Sequence, residues 1–253
     1  MSMELQKASI WKRASAYLFD IILLATLAVA IALAVSALLG YNRHTDALDR
    51  LYANYENQYG VTFDITSSEY EALSEADQKQ YDDAYQALIA DEEVLEVYNI
   101  VINLSLVILT LSILLSYVLL ELVTPLLFGN GQSLGKKIFG IGLMRTDSVK
   151  MNGMQLFVRT ILGKFTIETM IPVYLLMMMF MGSIGPLGPV VLLAIGVLQL
   201  LTVIFTQNHS AIHDLLAGTV VIDIASQQIF RSSEELIAYT QKRHAEEVAR
   251  KSY

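Results

Sequence analysis

The chain has 253 residues, 54% of them hydrophobic, no cysteine, and a formal net charge of −8. Its mean hydropathy of +0.48 is high for a soluble domain, and the lack of cysteine excludes disulfides, thiol catalysis and Cys-ligated metals. No basic patch of the kind that holds nucleic acid is present, and the acidity is local: residues 42–97 carry fourteen Asp/Glu against three Lys/Arg.

Residues 1–41 form an N-terminal arm and a first span. Ile21 to Leu39 contains no charged residue, and at ~1.5 Å rise per residue the segment from Leu18 onward covers a hydrocarbon core of ~30 Å. A cleaved signal peptide ending near Ala37 fits poorly, because the apolar run is too long and Asp20 interrupts its start. Residues 42–97 predict a small acidic helical domain. Leu48, Leu51, Tyr52, Tyr55 and Tyr59 share a helical face that ends at Gly60, and Ser74 with Asp77 starts a helix presenting Tyr81, Tyr85 and Leu88. No calcium-loop pattern accompanies these carboxylates.

Residues 98–128 hold the second span, from about Tyr98 to Val123. Its Ser105, Ser112 and Ser116 could line a polar path, though close packing through small residues explains them more simply. Residues 129–163 form a basic loop. Its segment Gly129 to Lys137 fails as a phosphate loop because Lys137 stands where Ser or Thr is needed. It predicts a tight turn, followed by an interfacial helix from Met154 to Lys164 that keeps Arg159 and Lys164 near lipid headgroups. Residues 164–207 form a hairpin of two spans, Phe165 to Met181 and Leu187 to Phe205, broken by Gly185-Pro186 and Gly188-Pro189. In residues 208–253, Thr219–Ile224 is β-like and pairs with Ile141–Arg145. His209 and His213 have helical metal spacing but lack a third ligand, and Ser232 with Glu235 starts a charged helical tail.

The expected architecture is therefore an all-α polytopic membrane protein with about four transmembrane helices, a helical extracytoplasmic insertion and a short cytoplasmic β-ribbon. Fourteen Lys/Arg fall on the arm, middle loop and tail, against Arg43, Arg50 and Lys79 in the acidic insertion. The positive-inside rule then places both termini in the cytoplasm. Charges enter the spans at similar depth at Asp20, Glu121 and Glu168, with Arg13, Arg159, Lys164 and His213 just below them and Asp214 beside His213 at the membrane surface. Lone charges in lipid cost ~3 kcal/mol or more each, so these should meet inside the bundle. They either fix helix registry as ion pairs or bind a cation or proton. No cofactor is implied, and no nucleophile–base set marks an enzyme.

Three segments carry a resemblance: Trp11-Lys12-Arg13-Ala14-Ser15-Ala16-Tyr17-Leu18-Phe19-Asp20, Gly131-Gln132-Ser133-Leu134-Gly135-Lys136-Lys137, and His213-Asp214-Leu215-Leu216-Ala217-Gly218-Thr219. In this order they resemble the RDD family of bacterial membrane proteins, from about Trp11 to Ile222. Arg13 and Asp20 match the first two residues for which the family is named, and Asp214 the third. The resemblance implies a protein of the bacterial cytoplasmic membrane, with ion transport or cation/proton exchange as its proposed activity. The rival expectation is an accessory or regulatory subunit that holds another membrane protein through its acidic insertion or tail. Besides the lipid bilayer, the expected partners are a second copy of the chain, since four spans are few for a transporter, or such a membrane protein. The predicted orientation has a direct check. A cysteine at Ser67 should react with an impermeant reagent from outside the cell, and one at Ser148 from inside; the reverse pattern would overturn the topology.

Overall fold

The structure is a computed structural model and describes residues 7–251; residues 1–6 of the predicted arm and 252–253 of the tail lie outside the described residues. In chain order the helices are α1 (Ile10–Leu39), α2 (Tyr41–Tyr59), α3 (Ser67–Glu71), α4 (Glu75–Ala90) and α5 (Glu92–Tyr117). A wide π-helical turn, Val118–Val123, joins α5 to α6 (Thr124–Phe128), and α7 (Leu134–Ile138) leads into strand β1 (Ile141–Arg145). Next come α8 (Gly153–Phe157), a π-helical stretch Val158–Met170, α9 (Ile171–Phe180), α10 (Leu187–Phe205), α11 (Ile212–Ala217), β2 (Thr219–Asp223) and α12 (Ser233–Lys251).

Four helices are long and apolar enough to cross a membrane: Ile10–Leu39, Glu92–Phe128, Gly153–Phe180 and Leu187–Phe205. Their outward faces are apolar. Leu33, Leu38, Phe180, Leu193 and Phe205 are each more than 60% exposed, a surface that only lipid or another apolar partner can cover. Three of these helices contain a proline; Pro189 lies in the first turn of Leu187–Phe205, where it costs no hydrogen bond, and in the other two the helix widens just before it. Pro125 follows the π turn Val118–Val123, and Pro172 follows the π stretch Val158–Met170. Proline cannot donate to the carbonyl four residues earlier and its ring collides with that carbonyl, so a wider turn is the local solution. The carbonyls affected belong to Glu121 and Glu168. Glu121 O recovers a donor from outside its own helix, the Thr160 hydroxyl at 2.9 Å.

The chain folds as two compact units, Val29–Ser112 and the pair of segments Met1–Ala28 and Ile113–Tyr253. In the first, α2 packs on α4. Gly60 ends α2 in a left-handed conformation (φ 65°), and Thr66 with Glu69 makes a capping box for α3. Phe63 sits edge-on to Tyr52, Tyr81 and Tyr85, with ring centroids 5.9, 5.7 and 6.3 Å away. Tyr55 and Tyr70 donate their hydroxyls to Asp91 and Asp82 at 2.7 and 2.9 Å. Many of the carboxylates of this unit are simply solvated, while its aromatic rings supply the apolar packing.

In the second unit β1 and β2 pair antiparallel, with Ile141 opposite Asp223 and Arg145 opposite Thr219. Ala8 N–H donates to Val221 O at 3.3 Å, adding the start of the chain to this ribbon. Ala8, Ala16, Ile141, Leu143 and Val221 form one small core beside it. The middle of the chain departs from expectation. Met154 to Lys164 is not a separate interfacial helix but runs on into the third span, and Arg159 and Lys164 are buried, not set among headgroups. Both find carboxylates inside the protein, which removes the need to reach water. Ser148 is buried as well, with φ 69°, so a cysteine there would react slowly for a local reason. The inside probe for the topology experiment therefore belongs at the exposed Lys150.

Phe63 is the centre of the aromatic packing, so Phe63→Ala should destabilise the Val29–Ser112 unit. Half-burial of the ring sets the expected loss at about 2 kcal/mol, read as earlier thermal unfolding and faster proteolysis between residues 60 and 67. An unchanged protease pattern would show that the rings contribute little.

Candidate functional site

Around the first turns of α1, four carboxylates and four basic side chains from different parts of the second unit come together: Asp20, Glu121, Glu168 and Asp214, with Arg13, Lys136, Arg159 and Lys164. All eight except Lys136 were expected from the sequence. With His213 neutral, the formal charges cancel. A cavity of about 300 Å³ opens between them, lined on its polar side by Arg13, Asp20, Lys136, Lys164, Glu168 and His213.

Asp20 docks the loop after the second span. Its Oδ1 accepts the Gly135 N–H at 2.8 Å, and its Oδ2 accepts the Ser133 hydroxyl. Ser133 is also the N-cap of α7, so one carboxylate fixes the start of that short helix against α1. Gly135 has to be glycine here, because a Cβ would run into the Ala16 carbonyl and the Asp20 carboxylate. From the same turn Lys136 reaches back with its Nζ 3.7 Å from Asp20 Oδ2, 3.7 Å from Glu121 Oε2 and 2.9 Å from Ser133 Oγ. Burial pushes the Lys136 ammonium down to about 8, with Lys164 and Arg159 adding to the effect against the pull of Glu121 and Asp20.

Glu121 lies in the π turn, 3% exposed. Lys164 Nζ stands 2.8 Å from its Oε2, yet that oxygen accepts no aligned hydrogen bond among the described residues. Charge holds this pair more than direction does. Arg159 and Asp214, 2% and 1% exposed, are joined by Nε–H donating to Oδ1 at 2.8 Å, and Thr219 donates its hydroxyl to the same oxygen at 2.9 Å. The Arg159 guanidinium and its neighbours hold the Asp214 carboxyl well below the usual carboxylate range against the effect of burial. Arg159 Nη1 has no hydrogen-bond partner among the described residues.

His213 and Glu168 complete the set. His213 Nδ1 lies 2.7 and 2.9 Å from the two Glu168 oxygens, and its backbone N–H donates to Oε1 at 3.0 Å. Its Nε2 stands 3.5 Å from Asp214 Oδ2. Gly163 allows this approach, since a Cβ there would collide with Cα and Cβ of His213. Burial lowers the imidazole's pKa, with Arg159 and Lys164 opposing its protonation while Asp214 and Glu168 favour it. Gln199 of the fourth span donates to Glu168 Oε1 at 3.3 Å, so every span contributes a polar group.

Arg13 is placed differently from its sequence partner. It shares a helical face with Asp20 but donates Nη2–H to His209 O at 2.8 Å, while Asp20 is held by the Ser133–Lys136 turn. Removing Arg13 therefore does not relieve the loss of Asp20; the compensating residue is Lys136. The latter escaped the sequence reading because it lies outside any span. The sequence signal for the π-helical segments, which that reading did not use, is the pair Pro125 and Pro172, each four residues after a membrane glutamate. His209 does not join His213, and among the described residues no group of three His, Asp or Glu is arranged to hold a metal.

The model of the RDD family matches residues 7–218. No curated protein and no solved structure matches the chain.

The pairs differ in what they hold, and two substitutions separate them. Asp214→Asn leaves the Arg159 charge buried without its counter-ion and should cost about 3–5 kcal/mol. Arg13→Gln loses a bond to a carbonyl from a partly exposed side chain and should cost about 1 kcal/mol. Thermal unfolding in detergent measures both. The pH dependence follows from the same contacts. His213 has a lowered folded pKa, so its stabilising contribution is complete above the ordinary value of ~6.5 and declines as pH falls below it. Asp214, also lowered, adds a second loss below about pH 4. A midpoint that stays flat from pH 8 to pH 5 would contradict the buried neutral imidazole.

Proposed function

Because the chain belongs to the RDD family of membrane proteins, we propose that its buried charge cluster exchanges cations for protons across the bilayer. The observation that carries this reading is the charge balance around the cavity. Three of the four carboxylates already face a fixed positive group: Asp20 and Glu121 face Lys136, Glu121 also faces Lys164, and Asp214 faces Arg159, while Glu168 is held by the neutral His213 ring and its backbone N–H. A further positive charge entering such a low-dielectric site costs several kcal/mol, so cation entry has to be coupled to the exit of another. A proton is the charge that this set of titratable groups can release. The cavity against α1 supplies the room, and the π-helical segments beside Glu121 and Glu168 supply backbone that is less tightly bonded than a regular helix.

The setting is a multi-pass protein of the bacterial cytoplasmic membrane with four spans. Its arm, middle loop and tail face the cytoplasm, and residues 42–97 face the other side, as the distribution of Lys and Arg directs. That orientation puts the charge cluster near the cytoplasmic ends of the spans. An accessory role has weaker support, namely the exposed apolar residues Ile237 and Val248 on one face of α12, where a partner could dock.

Asp20 is the residue on which exchange should depend most. Asp20→Asn can still accept the Gly135 N–H but carries no charge. It should abolish cation-driven proton movement in proteoliposomes, with a drop of at least tenfold, while the protein stays folded by thermal unfolding. A folded variant with undiminished exchange would rule out Asp20 as part of the path.

A further inference from the structure

Charge balance requires that one positive group yields when a cation enters. Three of the four basic side chains are held tightly. Arg159 is bonded to Asp214 at 2.8 Å, Lys164 stands 2.8 Å from Glu121, and Arg13 is bonded to the His209 carbonyl at 2.8 Å. Lys136 is held differently. Its ammonium lies 3.7 Å from Asp20 and 3.7 Å from Glu121, beyond hydrogen-bond range of both, and its short polar contact is the Ser133 hydroxyl at 2.9 Å. We propose, on the premise of cation–proton exchange, that the Lys136 ammonium is a tethered stand-in for the transported cation: a monovalent alkali cation replaces it between Asp20 and Glu121, and its proton leaves to water.

The surrounding atoms fit that replacement. Asp20 Oδ2, Glu121 Oε2 and Ser133 Oγ are hard oxygen donors, the kind that alkali cations take. Glu121 Oε2 is buried and touched by the Lys164 ammonium at 2.8 Å without an aligned hydrogen bond, so this carboxylate oxygen keeps a lone pair on the Lys136 side. Lys136 lines the cavity, so a neutral amine on its four-carbon stem has a space into which to withdraw. The backbone need not move, since α7 stays docked through Gly135 N–H and Asp20.

The groups facing Lys136 set its readiness to lose a proton. Asp20 from α1 and Glu121 from the second span favour the ammonium, while Lys164 and Arg159 from the third span oppose it. Burial of the ammonium adds to the opposition. The step conserves charge. One N–H bond of the ammonium breaks, its electron pair stays on nitrogen, the proton goes to water, and the alkali cation brings one positive charge in its place. Exchange is therefore one-for-one and electroneutral at this site.

The test uses the purified full-length protein in detergent, weakly buffered at pH 7 with a pH indicator, and additions of sodium, lithium or potassium chloride against choline chloride. The wild type should release one proton per alkali cation bound. Lys136→Gln should bind the cation with no proton release, and its affinity should no longer rise with pH. Lys136→Arg keeps a charge that cannot be given up and should lose alkali-cation binding at an unchanged thermal midpoint. If Lys136→Gln does not fold, the Lys136→Arg result alone decides. Lys136→Gln that still releases a proton with each cation, or Lys136→Arg that binds like the wild type, would overturn the assignment. The same variants in proteoliposomes separate the two levels of the account. Proton-coupled exchange that survives in Lys136→Gln refutes the role of Lys136 and leaves exchange standing. No exchange by the wild type with any of the three cations refutes both.

Discussion

The constraint on which this structure turns is that charges taken out of water must be matched in number and placed within a few ångströms of each other. Asp20, Glu121, Glu168 and Asp214 come from four different elements, and each is met from another element, Glu168 by the neutral His213 ring and the other three by a Lys or Arg. The pairs thus act as cross-links between spans. Asp20 ties α1 to the turn before α7, Glu121 ties the second span to the third, and Asp214 and His213 tie the third span to α11. Lipid cannot drive helices together by excluding water, so polar links of this kind and close contact at Gly135 and Gly163 take on that task.

The backbone around the cluster follows from two prolines. Pro125 and Pro172 each fall four residues after a buried glutamate, and each is preceded by a π-helical segment. A π segment turns the following side chains relative to a regular helix, which here brings Glu121 toward Lys164 while Thr160 accommodates the Glu121 carbonyl. The same feature that removes a backbone hydrogen bond thereby aims a carboxylate. The origin of the wide turns can thus be named residue by residue.

Much of this was legible in the sequence because membrane spans announce themselves. An uncharged run such as Ile21 to Leu39 has few alternatives, and Gly60 and Ser74 end and start helices for reasons confined to a few residues. The inward charges were legible for the same reason, as a carboxylate in an apolar run needs a partner. Which partner it takes was not legible. Arg13 and Asp20 share a face, yet Asp20 is held by a turn more than a hundred residues away, through Ser133, Gly135 and Lys136. Arg159 and Lys164 looked like headgroup anchors, because a basic stretch before an apolar one has that pattern locally. Only the tertiary arrangement shows that carboxylates stand ready to receive them.

These features converge on a cluster that is neutral as a whole and intolerant of an added charge. The central claim is that any cation it admits is exchanged for a proton with no net charge moved. The direct measurement is wild-type proteoliposomes carrying an internal pH dye, given a sodium or lithium pulse with the membrane potential set to different values by a choice of lipophilic ions. The account predicts that the lumen becomes alkaline as the cation enters, at a rate that does not change with the imposed potential. A flux that follows the potential, or a cation pulse that moves no protons, would contradict it.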